Sequence, residues 1–352
     1  MKPQYPSKAT TSHGGGIVDL DDLANLVVFG TAELRAVLTP EVCLAALEDA
    51  YRRLHAAPGD GGRSLGFQTE GGKFHVKAGL YPGTHKYFAA KVNANFPDNG
   101  RRFGLPTIQG LIVLCSGTDG RPVAILPSGE LTGRRTAAAT ALAAKHGARP
   151  DARSLTIIGC GVQARYQAQA IVGVLPIERI TAVDREPANA QAFTAWVAET
   201  LGLEASPVTT VADAVAGSDI TVTCTTATRP IVTLDMVSAG CFIAAIGADN
   251  PDKQELDPDL FTSARILVDD LDQCAEGGDL AHAFRANVAA PENVAATLAD
   301  LAAGAKPGRT RNDEIVIFDS TGTGIQDVAA AAAAFELAQK RTDFMKSRAT
   351  GE

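Results

Sequence analysis

The spacing of apolar residues changes twice along this chain. From residue 17 to 57 apolar positions recur every three or four residues, which predicts helix, most clearly in TPEVCLAALEDAYRRLHAA. There Thr39 can cap the helix and Pro40 suits its first position. From residue 73 to 127 the apolar runs are short and strand-like, and an Asp-Gly pair at 119–120 predicts a hairpin turn.

Residues 131–149 return to a helical pattern, and beyond them short continuous apolar runs alternate with alanine-rich helical stretches. This alternation is typical of parallel strands that helices bury on both faces. Six strands are predicted, at 154–159, 179–184, 219–224, 241–247, 265–270 and 314–320. The chain is therefore predicted to be α/β, with a Rossmann-type doubly wound parallel sheet preceded by a second, smaller unit.

The two ends of the chain differ in character. The last helical stretch, IQDVAAAAAAFELAQKR, lies beyond the last predicted strand and is expected to cross back to the amino-terminal unit. Residues 1–16 end in three glycines and are expected to form a flexible extension.

Composition and charge narrow the class of protein. With 45% hydrophobic and 20% charged residues, the chain has the composition of a soluble globular protein. Its net charge of −8 offers no basic excess for nucleic acid, and no run of about 18 apolar residues predicts a membrane span. Six isolated cysteines and the lack of a signal-like apolar segment predict reduced thiols in a cytoplasmic protein. The histidines form no zinc-binding pattern, so no metal is expected.

The predicted helix 131–149 begins with an unusual charge. Arg134 and Arg135 fall in its predicted first turn, where exposed N–H groups already create positive potential. Two cations there cost about 0.3–1 kcal/mol each when exposed. The pattern therefore predicts a negatively charged partner for these arginines.

A dinucleotide-binding pattern follows the strand predicted at 154–159. In LTIIGCGVQA, Gly159, Gly161 and Ala164 form a Gly-x-Gly-x-x-Ala turn that opens a helix. Backbone N–H groups of such a turn, here with Val162 and Gln163, bind a pyrophosphate at the helix N-terminus. The alternative is an ordinary strand–helix turn.

The last residue of the next predicted strand bears on the choice between NAD and NADP. Asp184 lies twenty residues beyond Ala164, where a carboxylate accepts the ribose hydroxyls. Asp184 favours NAD, because it would repel a 2′-phosphate. Arg185 follows directly, and its positive charge weakens the preference for NAD, so NADP remains the alternative cofactor.

Several motifs together resemble the ornithine cyclodeaminase/μ-crystallin family. They are, in order, YFAAKVNANFPDN, GLPTIQG, SGTDGRP, LTGRRTAAA, IIGCGVQA, AIGADNPDKQEL and VIFDSTGTGIQD. The resemblance as a whole covers roughly residues 27 to 335. The resemblance implies NAD(P)-dependent enzymes of α-amino and α-imino acids, such as ornithine cyclodeaminases, alanine dehydrogenases and imine reductases. It also implies a substrate-binding and dimerisation domain at 1–128, joined by helix 325–352, a Rossmann domain at 129–324, and a homodimer.

The resemblance also assigns site residues. Lys91 matches the catalytic lysine, Arg135 the clamp for the substrate carboxylate, and Asp249 the aspartate that faces the substrate amine. Without the resemblance, Lys91 would be a surface lysine on an edge strand and Asp249 a turn cap before a proline. Arg134 matches a variable position, where a solvated or subunit-contact residue is expected. Three further residues are expected cofactor contacts, together with Gln163: Thr136, Thr225 and Ser320.

Two places differ from the ornithine cyclodeaminase pattern. Arg63 is the arginine available as a second carboxylate ligand before Lys91, yet glycines precede it. Where ornithine cyclodeaminases have a Glu-Leu-Met-Pro-like strand, this chain has KFHVKAGLYPG. Lys77 in this segment either favours a substrate with a second carboxylate or faces solvent. The sequence leaves open whether the enzyme catalyses cyclodeamination or net imine reduction and amino-acid oxidation. The alternative to an enzyme is a ligand-binding protein like μ-crystallin.

Overall fold

The computed structural model describes residues 25–57, 62–81 and 87–341, so the extension predicted at 1–16 lies outside the described residues. The amino-terminal unit contains three helices and six strands. In chain order they are β1 (Val27–Val28), α1 (Thr31–Val37), α2 (Pro40–Ala56), β2 (Arg63–Thr69), β3 (Gly72–Tyr81), β4 (Tyr87–Asn95), α3 (Asn99–Phe103), β5 (Ile108–Ser116) and β6 (Pro122–Pro127). Thr39 caps α2 by accepting the Val42 N–H, as predicted.

These six strands form one sheet in the order β1-β6-β5-β4-β3-β2. Neighbouring strands are antiparallel except β1 and β6, and β5 and β6 form the predicted hairpin. Strand β2 was not among the predicted strands, because it starts in a glycine-rich stretch that reads as a break. All seven of its residues are exposed, since it is an edge strand.

The second unit is built from eight helices and ten strands. They are α4 (Ser128–Gly147), β7 (Ser154–Ile158), α5 (Val162–Val172), β8 (Arg179–Val183), α6 (Pro187–Leu201), β9 (Glu204–Pro207), α7 (Val211–Val215), β10 (Ile220–Thr223), β11 (Thr228–Val232), β12 (Phe242–Ala245), β13 (Gln254–Leu256), β14 (Arg265–Val268), α8 (Leu271–Gly277), α9 (Asp279–Arg285), β15 (Val294–Thr297), α10 (Leu298–Ala302), β16 (Val316–Asp319) and α11 (Gly324–Lys340).

Eight of these strands form a parallel sheet in the order β15-β14-β16-β12-β10-β7-β8-β9. All six predicted strands are confirmed, and β9 and β15 extend the sheet at its edges. Strands β11 and β13 pair separately. The order reverses between β7 and β10, which is where sheets of this type bind ligands beyond the carboxyl ends of their strands.

Helices α4 and α11 connect the two sheets. Helix α11 packs against β3, β4 and α2 of the amino-terminal unit. Helix α4 contacts β5 on one side and β12 and β16 on the other. One buried apolar cluster runs through both units and includes Ile112, Leu142, Phe318 and Val328. Side chains on α4 and α11 are therefore held between the sheets. Among the residues that the structure describes, no helix is both long and apolar enough to cross a membrane.

Candidate active site

The helix that carries the arginine pair begins earlier than the sequence predicts. Helix α4 follows β6 without a loop and starts at Ser128, so its first turn contains Glu130 and the two arginines lie in the second turn. The predicted start of this helix was therefore wrong. The reason is that the apolar periodicity becomes visible only at Leu131, after the polar first turn.

Arg134 has a protein partner. Its Nε lies 2.7 Å from Oε1 of Glu130, which also accepts hydrogen bonds from Arg35 and Tyr166. Burial opposes the charge of Glu130, but these hydrogen bonds outweigh it and lower the pKa of the carboxyl group. The Arg134 side chain is 10% exposed, so of the two expectations, a solvated or a subunit-contact residue, the solvated one was wrong. Arg134 instead connects two turns of α4.

Lys91 and Arg135 share one buried carboxylate. Lys91 Nζ lies 2.8 Å from Oδ2 of Asp327, and Arg135 Nε lies 3.0 Å from Oδ1 of the same group. All three side chains are almost fully buried. Lys91 lies on β4 in the interior of the sheet, on the face that α11 covers, so the alternative of a surface lysine on an edge strand was wrong.

The surroundings of Lys91 change its acidity. Burial lowers the pKa of the Lys91 ammonium to about 7, with nearby Arg135 and Lys77 adding to the effect and Asp327 opposing it. Asp327 itself has a lowered pKa, because the cations around it outweigh the cost of its burial. Near neutral pH, Lys91 can therefore both accept and donate a proton.

Lys77 points into the same region. The sheet register places it opposite Lys91, so the two side chains leave the sheet on one face. Lys77 Nζ donates hydrogen bonds to the carbonyl oxygens of Thr321 (2.9 Å) and Gly322 (2.7 Å). Burial and nearby Arg135 lower its pKa. Of the two alternatives for Lys77, the solvent-facing one was therefore wrong.

The guanidinium of Arg135 is fixed on two sides. Nη1 donates to Oε1 of Gln326 at 2.7 Å, and Nε faces Asp327. A Cβ at Gly322, whose φ is +73°, would lie 2.2 Å from Nη1, so only glycine fits beside the guanidinium. Within the described residues Nη2 donates no hydrogen bond to a protein acceptor and stays available to donate to an oxygen of a ligand.

Asp249 lies across from these cations, in the turn after β12. Its side chain is 52% exposed, and Oδ1 lies 2.8 Å from Lys253 Nζ. Protein atoms around the carboxyl group reduce its hydration, which raises its pKa. The charges of Lys253 and Lys77 outweigh this effect, so the pKa of Asp249 is lowered. Asn250, rather than Asp249, accepts the backbone N–H of Asp252 in this turn, so the turn-cap alternative finds no support in the described residues.

Arg63 does not join these residues. The register pairs it with Ala78, the neighbour of Lys77, so its side chain leaves the sheet on the face opposite Lys77 and Lys91. The second carboxylate ligand expected at Arg63 is therefore on the wrong side of the sheet, a fact that strand register alone decides.

The glycine-rich turn has the shape that a dinucleotide needs. Gly159 has a φ of +93°, and a Cβ there would lie 2.7 Å from Cγ2 of Thr225. Gly161 begins α5 with no side-chain cap on its N–H groups, and the space beside it is open. Ala164 is fully buried, which lets α5 pack closely on the sheet. These residues fit a pyrophosphate bound at the helix N-terminus.

Asp184 lies directly after β8, beside this turn. Its Oδ2 accepts the N–H of Cys160 at 2.7 Å, and its Oδ1 accepts the N–H of Glu186 at 2.9 Å. Arg185 next to it is 92% exposed. The carboxylate thus lies beside the glycine-rich turn, and the exposed Arg185 next to it lies 3.9 Å from Oε1 of Glu186.

The other predicted cofactor contacts separate into two groups. Val162, 79% exposed, and Gln163 are in the first turn of α5, and Thr225 touches Gly159. Thr136 follows Arg135 on α4, and Ser320 donates a hydrogen bond to Asp269 at 2.8 Å.

Three buried residues of the site were not among those predicted from the sequence. Asp327 is the shared carboxylate, Gln326 holds Arg135, and Asp269 holds Gln326 and Ser320. A signal for the first was present, because a charged residue within IQDVAAAAAAF interrupts an otherwise apolar helix. Gln326 and Asp269 had no comparable signal.

Comparisons with known proteins identify related sequences and structures. The model of the ornithine cyclodeaminase/mu-crystallin family matches residues 41–342. An archaeal alanine dehydrogenase dimer with bound NAD has a TM-score of 0.82 and 34% identity, over 90% of this chain and 96% of that chain. Δ1-Pyrroline-2-carboxylate reductase of Thermococcus litoralis, in complex with NADH and L-proline, has a TM-score of 0.82 and 29% identity, over 90% and 97% of the two chains. Iminosuccinate reductase of Paracoccus denitrificans, in complex with NAD+, has a TM-score of 0.80 and 29% identity, over 90% and 96%.

Proposed function

This chain belongs to the ornithine cyclodeaminase/mu-crystallin family, and on that basis we propose that it is an NAD-dependent enzyme that interconverts α-amino and α-imino acids. The observation that carries the proposal is the buried group of Lys91, Asp327 and Arg135, placed between the two sheets. A protein that only binds a ligand has no need of a buried lysine whose pKa is lowered to about 7.

The glycine-rich turn and Asp184 hold the cofactor in this proposal. The N–H groups at the start of α5 bind its pyrophosphate, and the Asp184 carboxylate accepts the ribose hydroxyls. When bound, the nicotinamide ring supplies or accepts the hydride at the α-carbon of the substrate. Because the 2′-phosphate of NADP would meet a carboxylate, NAD is the preferred form.

The chain's own residues orient the substrate and move its proton. Arg135 binds the α-carboxylate through the side of its guanidinium that neither Gln326 nor Asp327 occupies. Lys91 takes one proton from the substrate nitrogen when the α-C–H bond breaks and C=N forms, and returns it in the reverse direction. Asp249, kept ionised by Lys253 and Lys77, accepts a hydrogen bond from the substrate amine.

One assay distinguishes the directions of the reaction. The protein is incubated with NAD and a panel of amino acids that includes L-alanine, L-aspartate, L-proline and L-ornithine, while NADH absorbance and ammonia release are followed together. Ammonia from ornithine without net NADH identifies cyclodeamination, and steady NADH formation identifies a dehydrogenase. The reverse reaction is assayed with NADH, ammonium and a 2-keto acid. If no substrate gives either signal, the catalytic proposal fails and a μ-crystallin-like ligand-binding role replaces it.

Lys77 adds a cation that favours a second carboxylate on the substrate. Lys77→Met is expected to lower kcat/KM for a dicarboxylic substrate about tenfold more than for a monocarboxylic one, because a hydrogen bond between charged groups is lost. The measurement compares oxaloacetate plus ammonium with pyruvate plus ammonium, using NADH absorbance. Lys73→Met, on the same strand, is the matched control and should leave the ratio unchanged. Equal losses with both keto acids would assign Lys77 to the α-carboxylate instead.

The outer face of the six-stranded sheet supports a homodimer. Helix α11 covers one face, while the register aligns Leu65, Val76, Val92 and Leu111 in a row on the other. Leu65 is 59% exposed and Leu111 54%, and exposed apolar surface of this kind marks association sites. The similar archaeal alanine dehydrogenase is a dimer.

We place the assembled enzyme in the cytoplasm, in keeping with six free cysteines.

The dimer proposal predicts a change of oligomeric state. Leu111→Glu is expected to give a monomer, because two copies of the new carboxylate would be buried without partners at the interface. Light scattering coupled to size-exclusion chromatography measures the mass. Leu234→Glu, an exposed position in the second unit, serves as the control and should stay dimeric. A dimer that persists in Leu111→Glu would place the interface elsewhere.

A further inference from the structure

Asp269, directly after β14, collects hydrogen bonds from one loop and one helix. It is 3% exposed. Its Oδ2 accepts the hydroxyl of Ser320 at 2.8 Å, the backbone N–H of Gly322 at 2.7 Å and the side-chain amide of Gln326 at 3.2 Å. This carboxylate therefore connects the parallel sheet to the loop 320–322 and to the first turn of α11.

The groups that Asp269 holds are the ones that hold the site's cations. The carbonyl oxygens of Thr321 and Gly322 accept hydrogen bonds from Lys77, and Oε1 of Gln326 accepts one from Arg135. Asp269 is therefore connected to Lys77 through the loop 320–322 and to Arg135 through Gln326.

The geometry of a peptide group explains the effect on Lys77. In a planar trans peptide the C=O of one residue and the N–H of the next point in opposite directions. The N–H of Gly322 points to Asp269, so the carbonyl of Thr321 points away from it, and Lys77 Nζ lies 2.9 Å from that oxygen. Asp269 therefore fixes the direction of the Thr321 carbonyl group that accepts the hydrogen bond from Lys77.

The chemistry of an amide explains the effect on Arg135. The NH2 group of Gln326 donates to Asp269 and to the hydroxyl of Tyr51 at 2.8 Å, which leaves Oε1 facing the guanidinium. A carboxylate can only accept, so it permits one orientation of the amide. With a neutral amide at position 269, the NH2 group of Gln326 could turn toward Arg135, where donor would meet donor.

We propose that Asp269 is a positioning residue that fixes Lys77 and Arg135 for substrate carboxylate binding, acting through the loop 320–322 and through Gln326. The inference rests on the proposed function of the site. Asp270 is an ordinary cap, since its Oδ1 accepts the N–H of Gln273 at the start of α8, whereas Asp269 serves the site.

The two neighbouring aspartates make a matched pair of variants. Asp269→Asn is expected to raise KM for the best amino or keto acid of the panel at least about tenfold, the loss expected when charge-assisted hydrogen bonds are removed, with a smaller change in kcat. The dissociation constant of NADH, measured by fluorescence, should stay within about twofold. Asp270→Asn should leave KM unchanged, because asparagine caps a helix as well as aspartate does.

A double-mutant cycle tests the route of the effect. Gln326→Met raises KM by itself, and Asp269→Asn combined with Gln326→Met is expected to raise it by less than the product of the single effects, because the two share one connection. If Asp269→Asn does not fold, the inference is judged on Gln326→Met, which must raise KM without weakening NADH binding. An unchanged KM in the variant that folds overturns the inference, as does equal loss of NADH binding. A wild-type protein that turns over no member of the panel overturns the proposed function itself.

Discussion

Lys91→Met is expected to lower kcat about 10²- to 10⁴-fold, the range that a positioned proton-transfer group contributes. Methionine has a similar length and no proton to exchange, so the substrate nitrogen must exchange its proton with water. Asp327 keeps Arg135 as a charged partner in this variant, which limits the loss of stability. Steady-state kinetics with the substrate found in the panel measures the effect, and Lys145→Met, a surface lysine paired with Glu48, is the control.

The pH dependence distinguishes proton transfer from a structural role. Amino-acid oxidation needs Lys91 deprotonated, so the wild-type rate should rise with pH through about 7, the value to which burial lowers its pKa. Imine reduction needs Lys91 protonated, so that rate should fall as pH rises through the same value. Lys91→Met should lose this step in both directions. A variant with normal kcat, or one that keeps the step, would contradict the assignment.

Arg135→Leu is expected to raise KM for a carboxylate substrate by the equivalent of about 2–4 kcal/mol, roughly 30- to 1000-fold. The substrate carboxylate would lose a charged donor at a site where water is largely excluded. NADH binding should change little, since the glycine-rich turn is separate. Arg135→Lys should recover part of the loss, because it retains the charge without the planar guanidinium.

Arg134→Leu is the control for this prediction. It removes the same kind of residue one position earlier, and Glu130 keeps its hydrogen bonds from Arg35 and Tyr166. Its KM should equal that of the wild type. An Arg135→Leu enzyme with unchanged KM, or an equal effect in both variants, would remove Arg135 from the carboxylate site.

Much of the fold follows from local patterns. The period of the apolar residues predicted the six inner strands of the parallel sheet, because strands buried on both faces are short and uniformly apolar. The turn after β7 and Asp184 after β8 could be placed from spacing, since the glycine conformation and the strand ends are local properties. Strand β2 escaped prediction because an exposed edge strand carries no burial pattern.

The site depended on contacts between residues that are far apart in sequence. Asp327 lies 236 residues after Lys91, and Gln326 lies 191 after Arg135. No period or spacing predicts that one carboxylate neutralises two cations from different units, or that Lys77 rather than Arg63 faces them, because strand register and the return of α11 decide both. Local sequence thus determined which elements form and the glycine-rich turn that we propose for the nucleotide, whereas the packing of two helices between two sheets determined the acidity of Lys91 and the partners of Arg135.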